Sequence, residues 1–159
     1  MHAFYVKTLI KVLKARKLDV NYLFNHSGIK EVDLEKELSL TAQQLDTIST
    51  NAIELSKDRQ FGLLVGSSMD IPSQGIFGYA IITSATIGDA LKLMVRYNKA
   101  LLPSLDVKML SRESRVEVLI KAPHLPDELA RFYIELIYAA IMRSGNTLIP
   151  KGRTSRAHV

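Results

Sequence analysis

The segment Phe132-Tyr133-Ile134-Glu135-Leu136-Ile137-Tyr138-Ala139-Ala140-Ile141-Met142 sets the strongest condition on any fold this chain can adopt. Pro126 suits a first helical position, and Asp127 and Glu128 beside it complement the positive end of a helix dipole. A helix is therefore predicted from there to about Arg143, ending near Gly145. Wound this way, the segment is apolar almost all round, and such a helix is covered on several sides or binds a partner. Two sources of cover fit: the rest of this domain, with the helix at its centre, or another subunit or a further C-terminal part.

The remaining chain can supply a core. Its 159 residues, 47% hydrophobic and 23% charged, suit one compact domain that needs no staples. Residues 4–17 put Phe4, Leu9, Val12 and Leu13 near one face of a helix and lysines on the other. Residues 22–28 add one or two turns closed by Gly28 as a C′ residue, and residues 30–39 form a polar, acidic link. Thr41 with Gln44 makes a capping box for a second long helix to about Lys57, burying Leu45, Ile48, Ala52 and Leu55. In residues 61–67, Gly62 and Gly66 interrupt an apolar run, favouring close backbone packing or a helix end.

Residues 75–84 place Phe77, Tyr79 and Ile81 on one face and Ile76, Gly78, Ala80 and Ile82 on the other. A strand and a tightly packed apolar segment both fit. Thr86 with Asp89 caps a helix over residues 87–102 that buries Leu91, Met94, Tyr97 and Leu101 before Pro103. Alternation over residues 105–110 and 115–121 predicts a β-hairpin. The expected class is α+β: a mostly helical domain with a small antiparallel sheet.

The formal charge of +5 belongs to the ends. Lys7, Lys11, Lys14, Arg16 and Lys17 crowd residues 1–17, and Lys151, Arg153 and Arg156 follow residue 150. Without those eight, 13 basic face 16 acidic residues, so the body is about −3. A basic stripe for nucleic acid is not in the pattern. Residues 61–68 also lack any Arg, Lys, Asn or Gln with which a recognition helix would read bases. No cysteine is present, which removes disulfides, thiolate metal sites and a Cys nucleophile and fits a reducing cytoplasm. No apolar run approaches a membrane span, and residues 1–5 lack the order of a signal peptide.

Chemistry-bearing patterns are sparse. His2, His26, His124 and His158 are scattered without metal-ligand spacing. There is no phosphate loop, no G-x-S-x-G and no paired carboxylates on a shared face, so neither an enzyme nor a cofactor is expected. One mixed aromatic and polar set stands out: Phe77, Tyr79, Arg96, Tyr97, Arg131 and Tyr133. It could line an apolar pocket with a few polar anchors, or be ordinary core tyrosines with satisfied hydroxyls.

The string Phe61-Gly62-Leu63-Leu64-Val65-Gly66, followed by Gly75-Ile76-Phe77-Gly78-Tyr79-Ala80-Ile81-Ile82-Thr83-Ser84-Ala85-Thr86-Ile87-Gly88-Asp89-Ala90-Leu91, resembles the N-terminal domain of AraC/XylS-family transcription regulators. The similar branch is the arabinose-binding-like type of ornithine-utilisation regulators, with its LGLxxG and GxxGYAxxxSxTxxxAL elements and a following helix that ends in an aromatic, here Tyr97. Gly62, Gly66, Gly75, Gly78 and Gly88 are the matching glycines, and the likeness extends over residues 5–150.

The resemblance implies an effector-sensing and oligomerisation domain over residues 1–150, truncated on its C-terminal side, with a basic tail over residues 151–159. It implies an unidentified small-molecule effector and a homodimer. DNA would be read only through a C-terminal pair of helix-turn-helix units absent from this chain. The matching block is mostly glycine and core positions, so it carries over no ligand residue. A stand-alone dimerisation or protein-interaction module without a small ligand is the alternative.

Overall fold

The computed structural model describes residues 2–36, 39–112 and 115–148. The first helix, α1 (His2–Ala15), buries Tyr5, Val6, Leu9, Ile10, Val12 and Leu13, a stripe at helical spacing. A 3₁₀ turn follows over Val20–Phe24, with Asp19 accepting from Asn21 N–H at its start. The turn ends at Asn25; His26 and Gly28 then take positive φ, so Gly28 serves the loop after the turn and does not directly close it. The acidic link also contains a 3₁₀ turn, Glu31–Glu35. Lys14 and Lys7 of α1 reach Glu31 and Glu35 at 3.0 and 3.3 Å, and Arg16 reaches Asp58 at 2.6 Å. Much of the basic N-terminal face is thus answered within the domain.

The helix α2 (Ala42–Ser56) begins with the expected box: Thr41 Oγ accepts from Gln44 N–H, and the Gln44 side chain accepts from Thr41 N–H. Lys57 ends it in the left-handed region. Next come α3 (Phe61–Ser68) and, after a 3₁₀ turn at Pro72–Gln74, α4 (Ile76–Ile82). The α4 segment falls in the run that fits either a strand or a tightly packed apolar piece, and it is a helix of about two turns. Its partners explain why: Gly78 lies against the Ile71 carbonyl, and among the described residues the two strands pair only with each other. The capped helix α5 (Ile87–Leu101) leads into β1 (Asp106–Arg112) and β2 (Arg115–Lys121). These pair antiparallel, with Met109 opposite Val118 and Val107 opposite Ile120.

The last helix, α6 (Asp127–Leu148), continues past the expected stop near Gly145. Glycine there is compatible with helical backbone, and open space surrounds the position. Architecture is α+β, with helices packed around α6 and one hairpin. The main core joins α1, α2, α3, α6 and the base of the hairpin. A second, smaller core of Ile71, Ile81, Ala90 and Met94 lies under α4 and α5, and Ile141 of α6 packs against both. The expected basic tail, residues 151–159, lies outside the described residues.

Candidate functional site

Three faces of α6 organise the features packed along it. The first meets α3 with almost no gap. A Cβ built on Gly62 would sit 2.8 Å from Glu135 Cβ and run into the Phe132 carbonyl. One on Gly66 would sit 2.8 Å from Ala139 Cβ and run into the Leu136 carbonyl. The two glycines therefore allow two helix backbones to touch. Phe61 and Phe132 stack beside this contact, centroids 5.8 Å apart.

The second face meets α4 and α5 in a seam. Gly75 at φ +61° turns the chain into α4, so that Phe77 and Ile81 point inward. Ile76, Tyr79 and Ile82 consequently face solvent, at 91%, 70% and 46% exposure. Phe77 lies flat on Tyr97 of α5, centroids 3.2 Å apart and planes within 6°. Burial pushes the Tyr97 phenol above its ordinary pKa. Below the stacked pair, Met94, Ile137 and Ile141 supply apolar walls, with Asn98 and Ser144 as polar groups. The cavity there is about 30 Å³, space on the order of one or two waters.

The third face is open. Ile134, Tyr138 and Met142 repeat every four residues along it at 38%, 51% and 40% exposure. The domain thus covers two sides of this helix and leaves a strip of the third uncovered.

A hydroxyl network lies at the other end of α6. Tyr133 Oη donates to Asp46 Oδ1 at 2.9 Å and lies 3.0 Å from Ser49 Oγ, while Tyr5 Oη is 2.6 Å from Ser49 Oγ. Ser104 donates to Asp46 Oδ2 at 2.7 Å, and Ser49 donates to the Leu45 carbonyl at 2.8 Å. Four hydroxyl protons serve five contacts, so one proton is shared. Burial pushes both tyrosine phenols well above their ordinary range, and the nearby Asp46 charge adds to the shift. The network ties α1, α2, α6 and the approach to the hairpin together.

His2 makes a similar tie. Its Nδ1 accepts from Leu40 N–H at 2.9 Å, which leaves the proton on Nε2 to be donated to the Ala100 carbonyl at 2.8 Å. The histidine with the least obvious sequence context is thus a buried clamp.

Of the six residues singled out from the sequence, the structure brings Phe77 and Tyr97 together in the seam. Tyr133 is fully buried but belongs to the hydroxyl network. Tyr79 points to solvent on the far side of α4, Arg96 is exposed on α5, and Arg131 lies 3.9 Å from Glu128 on the surface of α6. Sequence reasoning passed over Tyr5, Asp46, Ser49 and Ser104, whose contacts span up to 87 residues. The one available signal was chemical: a tyrosine inside an apolar helix needs a partner for its hydroxyl.

Comparison with known proteins gives a family model described as the arabinose-binding domain of AraC transcription regulators, N-terminal, matching residues 18–159. The chain belongs to this family. Two uncharacterized HTH-type transcriptional regulators, from Mycobacterium bovis and Mycobacterium tuberculosis, are 23% identical to it over 138 residues. The match covers 86% of this chain and 40% of each regulator. The ornithine utilization regulator of Pseudomonas aeruginosa is 21% identical over 115 residues, 72% of this chain and 34% of that protein. The chain therefore spans about two fifths or less of these relatives. No solved structure matches it. As a member of the AraC N-terminal domain family it is a regulatory domain, and none of its described helices is long and apolar enough to cross a membrane.

Proposed function

We propose that this domain senses a small-molecule effector at the seam between α4–α5 and α6, and that α6 passes the change to a DNA-binding part outside this chain. The observation that carries the reading is the stacked pair Phe77 and Tyr97, lying over a small, mostly apolar cavity at the junction of the two cores. An apolar or aromatic effector that enters there must move α4 and α5 away from α6. It favours an open arrangement by its extra contacts, as a two-state switch requires. The domain reads no DNA itself. In support, α3 buries Phe61, Gly62, Val65 and Gly66 against the body and offers no groove-reading face.

The test is a thermal-shift screen of aromatic and aliphatic carboxylic acids and alcohols against the wild type and Ala140→Leu, which fills the seam. A true effector raises the Tm of the wild type by about 1 °C or more at saturating concentration, and Ala140→Leu abolishes that rise. A shift that survives this substitution overturns the seam as its site.

The open strip on α6 favours a homodimer within the same reading. Antiparallel pairing about Tyr138 would set Ile134 of one copy against Met142 of the other, the self-complementary arrangement of a two-fold interface. Tyr138→Glu should then turn a dimer into a monomer in sedimentation velocity. A wild-type chain that sediments as a monomer at high concentration counts against the pairing and against a purely structural dimerisation module.

A further inference from the structure

An open cleft of about 560 Å³ lies between α2 and the start of α6. Its size falls within the usual range of small-molecule sites. What distinguishes it is a carboxylate flanked by fixed acceptors on α2, with Gln43, His26 and His124 adding N–H donors elsewhere in the lining. Thr47 and Thr50 each donate their only hydroxyl proton back along α2, to the Gln43 and Asp46 carbonyls at 2.9 Å. Their oxygens are left as acceptors. Asn51 uses its amide hydrogens on the Leu23 and Asn25 carbonyls, at 3.0 and 2.8 Å, which keeps its Oδ1 as an acceptor. Those same bonds fix the turn carrying His26 as one wall of the cleft.

Among the described lining residues, Asp46 is the only Asp, Glu, Lys or Arg. Each of its oxygens takes one hydroxyl proton, from Tyr133 and from Ser104, and each keeps capacity for another donor. Leu125, Pro126 and Leu129 provide an apolar side. Three fixed acceptors beside a carboxylate suit a group rich in donors, and a hydrocarbon wall suits an alkyl stem.

We propose that this cleft binds a small organic cation, an ammonium or guanidinium head on a short alkyl stem, with Asp46 as its counter-ion. This goes beyond effector sensing at the seam and does not depend on it. Occupation would add a charged donor to the carboxylate that Tyr133 already holds, so the site is wired to α6 by one hydrogen bond.

The experiment is an NMR titration of the ¹⁵N-labelled chain at constant ionic strength with n-butylammonium chloride, methylguanidinium chloride and, as the neutral analogue, n-butanol. Saturable shifts are expected at the amides of Asp46, Thr47, Thr50 and Leu129 with at least one cation. Butanol should bind about tenfold more weakly or worse. Asp46→Asn keeps an acceptor for Tyr133 and gains a donor for Ser104 Oγ, so the fold is retained while cation affinity falls about tenfold. Should that variant not fold, Thr47→Val with Thr50→Val removes two acceptors from the helix surface, and a several-fold loss is expected. Ala140→Leu, distant from the cleft, leaves cation binding unchanged, so failure at the cleft and failure at the seam are separately visible. The proposal is overturned if neither cation gives saturable shifts by about 50 mM, already weak for ligands of this size. It is equally overturned if butanol binds as well as the cations, or if the substitutions leave cation affinity intact.

Discussion

The two cores that meet on α6 are held by different means. Around α3, helix backbones touch through Gly62 and Gly66, and a hydroxyl network plus the His2 clamp link helices far apart in sequence. Under α4 and α5, four buried side chains and one aromatic stack hold two helices whose outer surfaces keep Ile76 and Tyr79 in water. The first arrangement cannot give without breaking backbone contacts or stranding buried polar groups. The second can part along a seam mainly by losing apolar contacts, which an apolar ligand would replace, while His2 holds the C-terminal end of α5 at the Ala100 carbonyl. Low local stability is where ligand-gated motion is drawn from, and the contrast puts it at α4–α5.

The largest expected effect tests the rigid side. Gly66→Ala forces a methyl into the Leu136 carbonyl, an overpacking cost of about 3 kcal/mol. For a domain of this size that lowers the Tm by roughly 5–10 °C. Gly78→Ala makes a similar collision with the Ile71 carbonyl, but in the small core. There, hydrogen exchange should accelerate at amides of residues 76–101 while α2 and α6 stay protected. Equal global destabilisation by both substitutions would break the comparison, because the two cores would then melt as one unit.

Tyr133→Phe comes next. It removes the proton that Asp46 Oδ1 accepts and should cost about 1–2 kcal/mol in chemical denaturation. The same network predicts a pH response. Tyr5 and Tyr133 are raised by burial, so the folded state holds their protons above pH about 10, where the unfolded chain releases them. Their contribution is fully present below that pH and is lost as pH rises further, and a double Tyr→Phe variant should flatten the alkaline limb. Arg131→Ala, at a surface position, should change stability by less than about 0.5 kcal/mol.

Much of the secondary structure was legible from local chemistry. The Thr41–Gln44 box and the Thr86–Asp89 cap mark their helix starts because both partners lie within one turn. The hairpin shows in strict alternation. Residues 75–84 did not resolve, because a short apolar run reads the same in either period until a neighbour claims its backbone. The candidate site was less legible. Phe77 and Tyr97 are companions across one loop, whereas Arg96, Arg131 and Tyr79 share their composition but not their direction.

By itself the sequence determined that a helix from Pro126 must be largely covered or bind a partner, that Gly62 and Gly66 mark a close approach or a helix end, and that the glycine block resembles a regulator's N-terminal domain. Those properties depend on spacing within a turn or two, and spacing survives in one dimension. Only the tertiary structure decided which faces of α6 are covered and which strip is left open. It alone set Asp46 against Tyr133 and Ser104, and spent the Thr47 and Thr50 protons along α2 so that their oxygens are left as acceptors in the cleft. Those outcomes depend on which groups meet across 58 or 87 residues, and no local preference carries that information.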